Sequence, residues 1–145
     1  MRIRQLNHCV YQTQYHIVWG TRYRRKILKY YVRSELVKIL YRSQRRHPNW
    51  YFHNINTGVD HVHLQIEIPP IYPIAAVVRE LKACSSAHLR KRFKFIDRVY
   101  GHSGIWSVGY FVSTIGLNED QIRKYIDRQS QYDKGVDITA EFEWV

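Results

Sequence analysis

The order in which two hydrophobic periods succeed each other along the chain constrains its fold most. Val10 to Trp19 (VYQTQYHIVW) is rich in β-branched and aromatic residues and reads as a strand. Val32 to Arg46 carries Val32, Leu36, Val37, Ile39 and Leu40 at helical spacing, and His47-Pro48-Asn49 ends that helix. Trp50 to Asn56 and His61 to Ile68 are strand-like runs joined by Thr57-Gly58-Val59-Asp60, a hairpin signal, and Pro69-Pro70 stops the second. Ile74 to Phe93 returns to a helical period, with Ile74, Val77, Val78, Leu81 and Cys84 or Ser85 on its buried side. Trp106 to Thr114 is strand-like again. Strand–helix–strand–strand–helix–strand is the split β-α-β order of ferredoxin-like domains. Asn118-Glu119-Asp120 then caps a third helix that runs to about Tyr132. The expected class is α+β: an antiparallel ferredoxin-like sheet, helices on one face, and an added C-terminal helix bearing Tyr125. Ile138 to Val145 reads as a short last strand.

The 145 residues make one domain, 1–145, with no repeat, low-complexity tract or Gly/Pro/Ser linker dividing them. Lys and Arg number 23 against 12 Asp and Glu, a formal charge of +11. Because 45% of residues are hydrophobic, the chain is not a disordered basic tail. Cys9 and Cys84 cannot build a disulfide framework, and there is no CxxC zinc pattern. Met1 to His8 leads into no apolar stretch, so a signal peptide is not expected, and no apolar run is long enough to span a bilayer. A cytoplasmic domain with a polyanionic partner, most simply nucleic acid, is the expectation.

His61-Val62-His63 lies in the third strand-like run. Alternation puts both imidazoles on one face and Val62 on the other, which is half of a divalent metal site. Two half-exposed strand histidines are also ordinary, but a central strand obliges each ring to have a partner. Glu67 shares that face with His63 and Gln65; it can orient a histidine or sit at the sheet edge, and the edge is the expected place. Tyr125 and Gln129 stand four apart, on one face of the last helix. Tyr125 can be a core aromatic beside Ile122 and Ile126, or a nucleophile whose attack on phosphorus a divalent cation assists.

Tyr15-His16-Ile17-Val18-Trp19 with Tyr23-Arg24-Arg25-Lys26, then Asp60-His61-Val62-His63-Leu64, then Tyr110-Phe111-Val112-Ser113-Thr114 with Tyr125-Ile126-Asp127-Arg128-Gln129, resemble the single-tyrosine HUH transposases of the two-hundred/six-hundred-and-five group of insertion sequences. The resemblance runs from Val10 to about Tyr132. It implies that His61 and His63 are the metal-binding pair, Gln129 the third protein ligand and Tyr125 the nucleophile. It implies Mg²⁺ or Mn²⁺ as cofactor, and of these Mn²⁺ suits two imidazoles better. It further implies cleavage of single-stranded DNA at hairpin-marked ends, a 5′-phosphotyrosine, a free 3′-hydroxyl, and a homodimer in which the tyrosine helix can complete the partner's site. The turn at Val59-Asp60-His61 looks shorter than in many relatives; the four site positions are unchanged.

Basic residues cluster at Arg22 to Lys26, at Arg45-Arg46 and at Arg90 to Lys94. Helix C-termini favour cations in any case, but the surplus of 11 exceeds what capping needs. Arg24, Arg25, Arg79, Lys82, Arg90 and Arg92 are the expected phosphate contacts. Two other functions fit less well. A replication or relaxase-type nicking enzyme of the same superfamily is usually longer. A non-catalytic binder resembling RNA-recognition modules would carry stacking aromatics in a pattern this chain lacks, whereas a domesticated relative would keep the same site residues.

Overall fold

A computed structural model describes residues 3–114 and 116–134. Two short strands, β1 (Arg4–Leu6) and β2 (Cys9–Tyr11), form an antiparallel ribbon. β3 (Gln14–Gly20), a 3-10 turn at Arg22–Arg24, α1 (Tyr30–Arg46), β4 (Tyr51–Thr57), β5 (His61–Glu67), α2 (Ile74–Arg92), α3 (Lys94–Tyr100), β6 (Phe111–Ser113) and α4 (Glu119–Asp133) follow. The main sheet has the order β4-β5-β3-β6 with every neighbouring pair antiparallel. This is the split β-α-β arrangement, because β3 and β4, joined by α1, are separated by β5.

The register decides which side chains share a face. Ile17 pairs with Leu64 and Trp19 with Val62; Val18 pairs with His63 and Gly20 with His61. Directly opposed residues project to the same side. Ile17, Trp19, Val62, Leu64 and Ile66 therefore point one way, where all are fully buried against Leu36 and Leu40 of α1 and Val77 and Leu81 of α2. Val18, His61 and His63 point the other way. There α4 packs, through Ile122, Tyr125 and Ile126, against Val18. So α1 and α2 cover one face of the sheet, and the added helix lies on the opposite one.

Two expectations need correction. The segment from Val10 to Trp19 is not one strand: β2 belongs to the ribbon and β3 to the sheet. Thr13 makes the crossing, donating its hydroxyl to the Ile68 carbonyl while its own carbonyl accepts from Ile68 N–H at 3.1 Å. Only Phe111–Ser113 of the run from Trp106 to Thr114 forms a ladder, because Gly109 adopts φ +97 and the chain kinks there. Trp106 makes one isolated bridge, to Thr21 just past β3, and sets its ring edge-on against Trp19 of β3 at 5.9 Å. A short helix, α3, which the sequence pattern does not announce, follows Phe93 and buries Ile96 and Tyr100.

The other boundaries agree to within two residues, and the third helix opens as expected. Asn118 accepts from Gln121 N–H at 2.8 Å, and the Gln121 side chain accepts from Asn118 N–H at 3.0 Å, a full capping box. On α2 the fully buried position is Ser85, with Ile74 and Cys84 half-buried beside the core. The segment 138–145, expected as a strand, lies outside the described residues. Among the described residues, no helix is long and apolar enough to cross a membrane.

Candidate metal and tyrosine site on the open face of the sheet

His61 and His63 sit half-buried on central strand β5, on the face that α4 covers. Each ring has a specific partner. His61 Nδ1 lies 2.9 Å from Asp60 Oδ1, and His63 Nε2 lies 3.2 Å from Nδ1 of His16 on β3. Burial, reinforced by His16 and His61, pulls the His63 pKa below the ordinary imidazole value, and burial does the same to His16. Both are held neutral at neutral pH, the form that ligates metals. Burial alone would raise the Asp60 pKa, but hydrogen bonds from His61 and Arg24 outweigh it and hold the carboxyl below its usual range. A small cavity of about 140 Å³ opens beside His61, lined by Arg24, Asp60, Glu119, Arg123 and Ile126.

Helix α4 approaches closely because β3 ends in Gly20. A Cβ there would stand 2.9 Å from Ile126 Cδ1. Tyr125 is buried, its ring 5.8 Å from that of Phe111. Gln129, one turn on, is also buried, and its amide donates to the Val108 carbonyl. The two side chains do share a helical face and converge on Gly109: a Cβ at that residue would lie 3.7 Å from Gln129 Nε2 and 4.0 Å from Tyr125 Oη. Burial, with Asp133 nearby, pushes the Tyr125 pKa well above that of an ordinary phenol.

The structure thus gathers the histidines on one face, and Tyr125 with Gln129 around Gly109. It does not direct all ligands to one point, since the Gln129 amide is engaged by Val108. Among the described residues, no three His, Cys, Asp or Glu side chains cluster as a metal site. The histidine pair nevertheless fits a divalent ion. A carboxylate on the far nitrogen of His61 is the usual support of a metal-binding imidazole, and both rings are only half-buried.

Of the expected phosphate contacts, Arg79 and Arg92 are exposed, Arg79 on the rim of an apolar groove of about 420 Å³ between α2 and residues 104–110. The others have internal partners. Arg24 Nε donates to Asp60 at 2.9 Å, and Nη1 donates to Asp127 of α4. Arg25 donates to the Val99 carbonyl and lies over the Tyr23 and Tyr100 rings. Arg90 is spread over Asp97 and the carbonyls of Gly101 and Ser103, closing the end of α3. Lys82 donates to the carbonyls of Ser107 (2.8 Å) and Gly109 (2.6 Å), and burial brings its pKa down to about 8. Glu67 is not at an edge: it ends a central strand, nearly inaccessible, paired with Arg4 at 2.7 Å and His53 at 2.8 Å. It does orient a histidine, though neither His61 nor His63.

Sequence reasoning missed His16 and Asp60. Asp60 adjoins His61, which was a usable signal. His16 becomes a neighbour of His63 only through the β3–β5 register, which the sequence does not state.

This fold, a split β-α-β sheet with a tyrosine-bearing helix on its far face, is shared by transposases of solved structure. A crystal structure of a candidate transposase from Deinococcus radiodurans superposes with a TM-score of 0.78 at 26% identity, over 87% of this chain and 97% of that one. A tyrosine transposase bound to a REP hairpin has the same fold at 16% identity, with a TM-score of 0.52 over 92% of this chain and 70% of that one. The transposase of insertion sequence element IS200 from Salmonella typhimurium is 30% identical over 131 residues, 90% of this chain and 86% of that protein. The ISDra2 transposase TnpA of Deinococcus radiodurans is 30% identical over 126 residues, 86% of this chain and 88% of that protein. Residues 9–129 match the family described as "Transposase IS200 like", and the chain belongs to that family. It is a transposase, an enzyme of the class that cuts and rejoins DNA strands.

Proposed function

We propose that the whole chain, 1–145, acts as one domain that cleaves and rejoins single-stranded DNA at hairpin-marked element ends, with Tyr125 as nucleophile. The observation that carries the reading is the shared face: Val18, the cross-strand partner of His63, packs directly against Tyr125 and Ile126. The tyrosine helix therefore overlies the histidine pair.

In the reaction the Tyr125 oxygen bonds to phosphorus and gives up its proton, and the departing 3′ oxygen takes one up, directly or through solvent. The P–O3′ bond breaks, giving a free 3′-hydroxyl and a 5′-phosphotyrosine that retains the energy of the phosphodiester for rejoining. A phenol whose pKa is raised by burial needs help to attack. Mg²⁺ or Mn²⁺, when bound, supplies it by polarising a phosphate oxygen. His61 and His63 would hold the ion through neutral imidazole nitrogens. Gln129 would join them once its amide leaves Val108. The Tyr125 hydroxyl is buried, so DNA reaches it only after α4 or the segment at Val108-Gly109 shifts. The net charge of +11 supports an electrostatic hold on the strand, with exposed Arg79 and Arg92 as phosphate contacts. One ferredoxin-like core is too small to enclose a hairpin, which favours a homodimer, and the cytoplasm is where such an enzyme meets its DNA.

The test is Tyr125→Phe with labelled hairpin oligonucleotides drawn from the DNA flanking the gene, in Mn²⁺. The variant should lose the covalent protein–DNA adduct entirely on a denaturing gel and keep hairpin binding within about threefold, since only the attacking oxygen is lost. An adduct of undiminished yield would remove Tyr125 from the role.

A further inference from the structure

The most tightly held charge beside the histidine pair is Asp60. It is 6% exposed, and every polar atom of its side chain is used. Oδ1 faces His61 Nδ1 and Oδ2 accepts from Arg24 Nε, each at 2.9 Å. Its backbone carbonyl accepts from Thr21 N–H at 2.9 Å and from the Thr21 hydroxyl at 3.3 Å. With Nδ1–H directed at a carboxylate, the lone pair of a neutral His61 resides on Nε2 alone, the nitrogen left for a cation. The ring also has a seat. A Cβ on Gly58 would stand 2.4 Å from His61 Cε1 and 2.7 Å from its Nδ1, so the imidazole rests against a turn that carries no side chain.

Arg24 reaches Asp60 from an unusual backbone. Tyr23 (φ 61) and Arg24 (φ 54) are consecutive non-glycine residues in the left-handed region, a conformation that costs free energy and persists only where surrounding contacts enforce it. Here the enforcing contacts are Asp60, Asp127 and the bond from Tyr23 N–H to Asp133 (3.0 Å).

We propose that Asp60 is the positioning residue of His61, that Gly58 seats the ring, and that Arg24 occupies its strained turn to hold Asp60 rather than to bind DNA phosphate. The proposal rests on His61 being a metal ligand. It assigns Arg24 a task other than the one its place in a basic run suggests.

The experiment is Mn²⁺ binding by the full-length protein, followed by calorimetry and by the electron spin resonance of free Mn²⁺, without DNA. Asp60→Asn should weaken binding by roughly 10- to 100-fold, the usual effect of removing the carboxylate behind a metal-binding histidine. The asparagine amide can present N–H to Nδ1 and force the proton onto Nε2. Arg24→Gln should weaken binding in the same direction and by less. Asp127→Asn, which leaves the Asp60 bridge intact, should not change it. In EDTA, Arg24→Gln should bind labelled oligothymidylate as wild type does. The proposal is overturned if folded Asp60→Asn binds Mn²⁺ normally, if Arg24→Gln binds Mn²⁺ normally, or if Arg24→Gln loses oligothymidylate binding in EDTA. Should Asp60→Asn fail to fold, Arg24→Gln alone decides. His61→Ala separates the two levels: if it also binds Mn²⁺ normally, the metal reading of His61 falls, and the positioning role with it. If it loses Mn²⁺ while Asp60→Asn does not, only the positioning role falls.

Discussion

The two faces of the sheet are built on different principles. The face under α1 and α2 is apolar and continuous, with Ile17, Trp19, Leu64, Ile66, Leu36 and Leu81 inaccessible to solvent. Among the described residues, the buried apolar cluster of the other face is Val18, Ile122, Tyr125 and Ile126, flanked by polar groups at both ends: Asp60, Arg24 and His61 at one, Glu67, Arg4 and His53 at the other. The closed face provides the cooperative stability of the fold. The open face provides donors and charges held in fixed geometry, under a helix attached by little apolar surface. A side chain on such a helix, Tyr125 included, can be withdrawn or presented without unfolding the sheet.

The largest expected effect tests this division. Leu64→Ala leaves a cavity in the closed face and should cost about 2–5 kcal/mol of global stability. Ile126→Ala removes a comparable buried side chain from the open face. It should loosen α4, speeding amide exchange along Glu119–Asp133, while exchange in β3 and β5 stays near wild type. Denaturant melts and native-state hydrogen exchange read both. If Ile126→Ala lowers global stability as much as Leu64→Ala does, the two faces form one cooperative unit and the contrast is wrong.

The closed face was also the legible one. Val32, Leu36, Ile39 and Leu40 on α1, and Val77, Val78 and Leu81 on α2, were readable from spacing because apolar burial has a period. On the open face the residue types were visible and their partners were not. His61 and His63 fall on one side by simple alternation, and Tyr125 and Gln129 share a helical face. Polar partners were no more legible elsewhere: Arg24, and Lys82 and Arg90 of α2, read as free cations, whereas each ends on carbonyls or carboxylates that only the folded chain brings near. A hydrogen bond between residues 36 apart, such as Arg24 to Asp60, leaves no periodic trace. The Trp106 to Thr114 run was apolar enough for a strand, and only the positive φ at Gly109 breaks it.

The polar end of the open face away from the histidines offers an intermediate effect. Burial would raise the Glu67 pKa, but hydrogen bonds from Arg4 and His53 override it, so the folded value lies below the ordinary one. A depressed carboxyl pKa contributes stability that is present above the unfolded value, near 4.3, and is lost as pH falls through the folded value. Glu67→Gln leaves the Arg4 guanidinium short of its charged partner and should cost roughly 1–3 kcal/mol at pH 7. The gap between variant and wild type should close on acidification below about pH 4. Melting curves from pH 7 to 3 check this; a gap that persists unchanged at pH 3 would show that Glu67 acts through packing and not through charge.

The smallest effect concerns the start of α4. Asn118→Ala removes the side-chain acceptor for Gln121 N–H and breaks the capping box, a loss of about 1 kcal/mol where a helix end is firmly held. On the open face that loss should appear locally. Amide exchange over Gln121 to Lys124 should quicken by roughly fivefold, the equivalent of that free energy, while the global melting temperature barely moves, because the closed face does not depend on α4. Gln121→Ala should act in the same direction and less, since it frees only the Asn118 N–H, which is exposed to water. The local shift then propagates to function: a frayed first turn lets Glu119 and Arg123 withdraw from the cavity beside His61, so Mn²⁺ affinity should change little while the yield of the Tyr125 adduct changes in step with the exchange rate. A fall in global stability matching that of a closed-face cavity would instead tie the tyrosine helix to the core.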